Sequence, residues 1–509
     1  MSLLGIDIGT TGCKAGAFSE DGRCLHLAYR EYPTLHPRPG WAELDSAAVM
    51  ACVLDAIAET AAAAARDPVS ALCVSAMGEA MTPVDASGRI LGNAILSADT
   101  RGAEYVEQLE ADLGQAAFFA INPNTLAPNY SLPKLLWLRA HAPECCERAA
   151  KFLLWSDLAS ATLGGEPVTS YSHANRTLLF DLRREDWSDA LLDWAGIPRE
   201  KLPRVAASGT ICGAVAPKTA AALGLPPETA LVVGGHDQCC NALGAGVIEG
   251  GKAVCGMGTI ECITPVFDHI PDLDAMRVAR LNIEHHVLPG LYLSFIYNQS
   301  GVLVKWFRDA FAASDRRPGD SDTDIYDLLM AEMPDAPTPL LALPHFEITG
   351  APDYIADSAG VLAGLRTNTP RGVILKALIE GASFYFLKSL RTLTALGIDT
   401  SEFIAAGGAA KSDAVLQIKA DIFGAPFVRL RHTECGIVGA AMLAGIATGV
   451  YRNAREAADR FVVRERRFEP DPDRHRRYRE QYGRYERLYP ALRDLLAELN
   501  ALGTEDAGD

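Results

Sequence analysis

A short apolar run, Leu3-Leu4-Gly5-Ile6-Asp7-Ile8, is broken by Gly9-Thr10-Thr11-Gly12, resumes from Lys14 to Phe18 and ends at Asp21-Gly22. Two β-rich segments separated by a glycine-bounded tetrapeptide predict a hairpin followed by another turn. The device recurs: Ala253-Val254-Cys255 runs into Gly256-Met257-Gly258-Thr259, and Ile260 to Ile263 returns. The recurrence is one of pattern and not of residues, so it marks either a duplicated fold or two unrelated hairpins. A third strand-like segment, Ile404-Ala405-Ala406, opens into Gly407-Gly408-Ala409-Ala410-Lys411-Ser412.

Between these devices strands and helices alternate. Ala47 to Ala65 reads as an alanine-rich amphipathic helix, Ser70 to Ser75 as a buried strand, and Ser131 to Ala140 as the start of a helix. Leu231 to Gly235 is another strand, Asp413 to Phe423 a helix closed by Gly424-Ala425-Pro426, and Gly436 to Gly449 a helix rich in Ala and Gly. Tyr478, Tyr482, Tyr485, Leu488, Tyr489 and Leu492 recur at helical spacing, a stripe read as core packing. Alternation of this kind predicts an α/β fold. At 509 residues the chain is long enough for two or three domains. The glycines from Gly244 to Gly251 supply flexible backbone at a junction, giving domains 1–246 and 247–509.

Composition narrows the function classes. The formal charge of −17 disfavours a nucleic-acid or anionic-membrane surface, where the phosphate term would be repulsive. Arg464, Arg466, Arg467, Arg474, Arg476, Arg477, Arg479, Arg484 and Arg487 form a basic stretch, but Glu465, Glu469, Asp471, Asp473, Glu480 and Glu486 interleave with it, as on a solvated helix face. The twelve cysteines lack paired metal-ligand spacing, since Cys145-Cys146 and Cys239-Cys240 are neighbours, and a reduced cytoplasmic setting is expected. The N-terminus has no basic n-region or cleavage site, and no apolar run near eighteen residues is read anywhere, so neither secretion nor membrane spanning is expected.

Phosphoryl transfer needs a phosphate cradle, a magnesium-holding carboxylate and a base on the acceptor hydroxyl. Three segments offer those parts. Asp7-Ile8-Gly9-Thr10-Thr11-Gly12 puts an acid at a strand end beside backbone that can approach an anion, with two hydroxyls to donate. The alternative there is a plain β-turn with a solvated Asp. Gly234-Gly235-His236-Asp237-Gln238 puts a carboxylate just beyond an apolar strand, where side chains project into crevices at the sheet edge. Asp237 could orient and deprotonate a hydroxyl, or could simply cap a helix. His236 titrates nearer neutrality, yet in a loose transition state the proton leaves late and positioning counts most, which suits Asp. Gly256-Met257-Gly258-Thr259 and Gly407-Gly408-Ala409 are small-residue turns that a nucleotide could approach. Gly246 to Ala253 matches the GxxxxGK spacing of a phosphate loop, but Ala253 stands where Ser or Thr should bind magnesium and a strand follows instead of a helix.

Taken in order, these segments resemble the FGGY carbohydrate kinases, a family that includes xylulose, glycerol, gluconate and ribulose kinases. Asp7 to Ala15 looks like the first phosphate motif of the family, and Tyr130-Ser131-Leu132-Pro133-Lys134-Leu135-Leu136-Trp137 like its N-terminal signature. Gly235-His236-Asp237-Gln238 looks like the catalytic segment, and Gly407 through Ala441, with Glu434 and Gly439-Ala440-Ala441, like the adenosine signature. The resemblance implies two ribonuclease-H/actin-like domains with a cleft between them, the N-terminal one holding sugar and the catalytic Asp, the C-terminal one ATP. It also implies ATP with Mg²⁺ and closure on substrate. By it Asp237 is the general base and Asp7 holds the metal. Thr10, Thr11, Lys14, Gly258 and Thr259 lie near the phosphates, and Gly407, Gly408, Ala409 and Ser412 near adenosine. No nucleic acid or membrane partner is implied, and a homodimer is left open.

The substrate is less well marked. Where xylulose kinases usually carry Met-His-Gly this chain reads Met77-Gly78-Glu79, and where glycerol kinases carry Arg-Glu, Glu79 matches while Gly78 lacks the basic partner. Gly350-Ala351-Pro352-Asp353-Tyr354 is closer to the glycerol kinase segment. Met77, Glu79, Asp99, Asp237 and Gln238 are the substrate-binding candidates, since buried carboxylates read sugar hydroxyls through charge-assisted bonds. A ketose such as D-xylulose is the first expectation, with glycerol, another polyol or a sugar acid as alternatives. An actin-like ATPase and a non-catalytic sugar-binding module are the rival classes.

Overall fold

A computed structural model describes residues 1–315 and 322–505. The opening segment forms the expected hairpin, Ser2–Ile8 against Gly12–Ser19, closed by Gly9 N–H donating to the Gly12 carbonyl at 3.0 Å. Its strands are the fourth and fifth of a six-stranded sheet. Cys24–Glu31 continues the sheet antiparallel on one side. On the other, Val69–Ala76 and then Ala230–His236 run parallel to Ser2–Ile8, with Ile211–Ala214 antiparallel at the edge.

The second sheet repeats this order. Lys252–Met257 pairs antiparallel with Ile260–Phe267, and on its other side Glu402–Ala406 and Phe427–Leu430 run parallel, followed by Arg464–Phe468 antiparallel at the edge. Tyr292–Leu293, Ile296–Gln299 and Glu284–His285 extend the far side to eight strands. The recurring hairpins are therefore equivalent positions in two α/β domains.

In each half the last parallel strand leads into a helix: Ala230–His236 into Asp237–Gly244, and Phe427–Leu430 through a short loop into Cys435–Ala447. The second helix is buried on almost every face, as an Ala- and Gly-rich helix must be when it is packed on both sides. It lies against Ser2–Ile8 and Val69–Ala76 of the first sheet and against Asp237–Gly244. Leu3, Val232 and Leu243 share one apolar cluster with Val254, Ile404, Val428 and Ile437, so a single core joins the two halves. The helices approach so closely that a Cβ at Gly439 would overlap the Cys240 carbonyl oxygen.

Two expectations change. Ser46–Ala63 is an 18-residue helix of mean hydropathy 1.5, long and apolar enough by length and composition to cross a membrane. Its Val49, Val53 and Ile57 are instead buried in the core of the first half, and Asp45 caps its start by accepting from Ala47 and Ala48 N–H at 3.0 Å. The basic stretch is not one helix face. Arg464–Phe468 is an edge strand on which Arg464 and Arg467 pair with Glu402 and Arg466 with Asp413, and a helix begins only at Pro472. Tyr478, Tyr482 and Tyr485 are core residues as expected, but the stripe is divided between Pro472–Tyr485 and Leu488–Glu505. All twelve cysteines are free.

Because the helix crossing has no slack, Gly439→Val is expected to destabilise the fold by about 1–3 kcal/mol through overpacking. Urea unfolding checks this, and a midpoint equal to that of the parent would show the crossing to be loose.

Candidate active site

Strand register assembles the site. Asp7 is level with Ser75 on the neighbouring parallel strand, and His236 is level with Ala76 on the next, so Asp237 emerges one residue beyond the same sheet edge. In the second sheet Gly256 is level with Ala406, which brings the turns at Gly258 and Gly407 to one edge. The two edges face each other across a cavity of about 300 Å³, lined by Asp7, Asp237 and Gln238 from one half and Gly258, Gly407 and Glu434 from the other. Gly407 has φ +88°, and a Cβ there would lie 2.8 Å from the Met257 carbonyl oxygen, so this turn needs glycine to close against its neighbour. At the far wall Gly436 opens the helix Cys435–Ala447 so near Asp7 that a Cβ would be 3.2 Å from its carboxyl carbon.

Both carboxyl groups are destabilised as anions. Burial pushes Asp7 above the ordinary carboxylate range; the Ser75 hydroxyl, donating at 2.6 Å, and the Lys14 ammonium pull it back, and Glu434 adds to the rise. Lys14 itself is paired with Glu434. Asp237 is pushed up to about 7, first by burial and then by the charge of Asp7, against the Gln238 N–H and Arg176. The floor of the cleft strips most of its hydration although 31% of its side chain is still reachable through the opening. The Gln238 N–H donates to Asp237 Oδ1 at 2.6 Å, and His236 Nε2 lies 3.1 Å from the same oxygen. Burial and the nearby Arg176 charge hold His236 well below its ordinary value, so it is neutral near pH 7.

The remaining sequence candidates are distributed as follows. Thr10 and Thr11 are exposed at the hairpin turn beside the cavity, and Thr259 is exposed next to Gly258. Gly408 and Ala409 continue the turn from Gly407 in a short 3₁₀ segment. The Ser412 hydroxyl accepts from Val415 N–H and caps the helix Asp413–Phe423. Met77 is buried just past Val69–Ala76, its N–H donating to the Ile8 carbonyl at 2.9 Å. Glu79 is buried with φ +60° and pairs with Arg176. Asp99 is the outlier: its side chain is 0% exposed, and its oxygens accept from Ala42 N–H, Arg101 N–H and the Arg101 guanidinium. That carboxylate is used inside the protein to order its own loop.

Sequence reading missed Arg176 and Glu284. Arg176 follows the short helix Tyr171–Asn175, and Glu284 is on the far strand of the second sheet. Their local contexts, His173-Ala174-Asn175-Arg176-Thr177 and Asn282-Ile283-Glu284-His285-His286, are mixed and polar and carry no motif.

Two α/β halves closing on a cavity floored by carboxylates and walled by glycine turns define a two-domain kinase of the actin-like class. The sequence matches the N-terminal domain of the FGGY family of carbohydrate kinases over residues 2–244 and the C-terminal domain over residues 279–448. A xylulose kinase of Bacillus subtilis is 27% identical over 98% of this chain and 99% of its own. A glycerol kinase of Bordetella parapertussis is 31% identical over 92% of each. The crystal structure of xylulose kinase from Rhodospirillum rubrum superposes with a TM-score of 0.88 at 26% identity, covering 97% of this chain and 100% of that one. The chain belongs to the FGGY family of carbohydrate kinases.

The electrostatics make one expectation measurable. In a ¹³C-carboxyl NMR titration Asp237 should titrate at about 7, and Asp7→Asn should move that midpoint downward because one repelling charge is gone. A midpoint in the ordinary range near ~4 in the parent would mean the carboxylate is better solvated than the cavity implies.

Proposed function

We propose that this kinase transfers the γ-phosphoryl group of ATP to a hydroxyl of a small sugar or polyol, with a ketose such as D-xylulose first and glycerol, another polyol or a sugar acid as alternatives. The observation that carries the reading is Asp237 sharing one cavity with Asp7 and with the turns at Gly258 and Gly407. The domain division at 246/247 belongs to the same reading, the N-terminal half taking the sugar and the C-terminal half the nucleotide.

The chemistry follows from the groups present. Asp237 orients the acceptor hydroxyl and receives its proton late, as phosphorus is reached. A carboxyl at about 7 is ionised enough at neutral pH to accept, and basic enough to hold, that proton. The N-termini of Asp237–Gly244 and Cys435–Ala447 both border the cavity and bring partial positive charge to a site that would hold phosphates. Thr10, Thr11 and Thr259 on the two hairpin turns offer hydroxyl donors, with Lys14 beside them. Gly407, Gly408 and Ala409 leave room for adenosine, and Ser412 supports that turn by capping the helix that follows.

The donor set suits magnesium, which takes hard oxygen ligands and usually needs only one or two protein carboxylates beside substrate phosphates. Asp7 is the carboxylate that would hold it. When bound, the ion neutralises charge on the transferring phosphoryl group. Water exclusion falls to the two halves closing over the cavity, which keeps the phosphoryl group from hydrolysis.

Two measurements test the reading. ATP consumption over a panel of ketoses, polyols and sugar acids should rise with at least one of them; an ATPase rate indifferent to every sugar would favour an actin-like ATPase. Asp237→Asn should lower kcat by about 10²–10⁴-fold with sugar binding retained, and near-normal turnover would remove Asp237 from its role. For the active sugar, kcat/KM should climb with pH to a plateau because only the ionised carboxylate accepts a proton, and with magnesium and ATP present its acid limb should fall below the value of about 7 set in part by the Asp7 charge.

A further inference from the structure

Gly78 leaves a space that another part of the chain fills. A Cβ at Gly78 would lie 2.9 Å from Arg176 Cγ and 3.3 Å from Arg176 Nε, so the arginine occupies the volume a side chain at 78 would need. Its guanidinium is held between two carboxylates, Glu79 beside Gly78 and Glu284 from the second sheet, the latter at 2.7 Å. The group is buried but not sealed: 13% of the Arg176 side chain and 8% of Glu79 remain reachable, against 0% for Glu284. It packs over the Tyr130 ring at 4.8 Å and the Phe295 ring at 5.6 Å. It is also close enough to Asp237 and His236 to pull down the pKa of each.

Charge decides what such a wall can accept. One cation faces Glu79 and Glu284, and Glu284 Oε2 lies 3.9 Å from His236 Nδ1, whose Nε2 is 3.1 Å from Asp237 at the cavity, so carboxylates outnumber fixed positive charge behind the Asp237 wall. A ligand carboxylate arriving there would meet a guanidinium whose two terminal nitrogens are already engaged. A neutral hydroxyl can still accept from the reachable edge of Arg176 or donate to Glu79.

We propose that Arg176 is a specificity-determining residue of the acceptor site, taking in space the place vacated at Gly78, and that its neutralisation by Glu79 and Glu284 selects neutral polyhydroxy substrates over sugar acids. This rests on the sugar kinase reading and sharpens its substrate class.

The test compares kcat and KM for the neutral sugar found in the panel, and for the sugar acid of the same carbon skeleton, in the parent, Arg176→Lys and Glu79→Gln enzymes. Lysine keeps the charge but not the fork, so Arg176→Lys should raise KM for the sugar at least about tenfold with KM for ATP unchanged. Glu79→Gln frees one arm of the guanidinium, and the ratio of acid to neutral kcat/KM should rise at least about tenfold. If Arg176→Lys does not fold, Gly78→Ser displaces the guanidinium without deleting it and should raise sugar KM in the same selective way. A parent enzyme that uses the acid as well as the neutral sugar, an unchanged ratio in Glu79→Gln, or an unchanged sugar KM in Arg176→Lys or Gly78→Ser overturns the inference while leaving the kinase reading intact. A parent enzyme inert to every sugar overturns both.

Discussion

Two carboxyl groups that repel each other, Asp7 and Asp237, are held in one cavity, and most of the site can be understood as the means of keeping them there. Each is pushed up by burial, and Asp237 additionally by Asp7. The groups that stabilise the anions are local and few: the Ser75 hydroxyl and Lys14 for Asp7, and the Gln238 N–H and Arg176 for Asp237. Unfavourable charge placement of this kind is stored in a fold that over-determines it. Here the over-determination is the parallel register that fixes Asp7 against Ser75 and His236 against Ala76.

The packing behind the site explains why that register holds. Cys435–Ala447 is clamped between the first sheet and Asp237–Gly244, and at Gly439 the backbones come too close for any side chain. Small residues here trade apolar area for proximity, since a larger side chain would push the helix off the sheet. The first turn of the same helix sets Gly436 against Asp7, so its seating in the core and its distance from the carboxylate are one variable. A core substitution at the crossing would thus reach the chemistry through backbone position.

How much was legible in the sequence follows from where each constraint resides. Asp7, Asp237, Gly258 and Gly407 could be read because a strand end beside glycine is a local pattern, and the duplicated pairing order makes local patterns meet. Arg176 and Glu284 could not, because their partners are 97 and 108 residues away from Arg176 and no short motif encodes the meeting. Asp99 shows a different limit: its residue type suits a sugar hydroxyl, but Arg101 two residues later donates to its oxygens, a pairing visible only with side chains in view. Ser46–Ala63 was misread as less apolar than it is because alanine contributes to hydropathy without standing out as a hydrophobic run. The arginines at Arg464–Phe468 were assigned to a helix because interleaved charge fits either period, and Glu402 on the second sheet decides for the strand.

Two positive charges near the cavity are held by fixed partners, Lys14 by Glu434 and Arg176 by Glu79 and Glu284. The state of Asp237 depends also on its neighbour Asp7. With Asp7 ionised, a carboxyl at about 7 is shared between its two forms at neutral pH. Neutralising Asp7, by a proton or by a cation it holds, removes one repulsion and lowers the pKa of Asp237. Asp237 is then most fully ionised when the charge of its neighbour is neutralised, which couples the states of the two carboxyl groups through electrostatics alone.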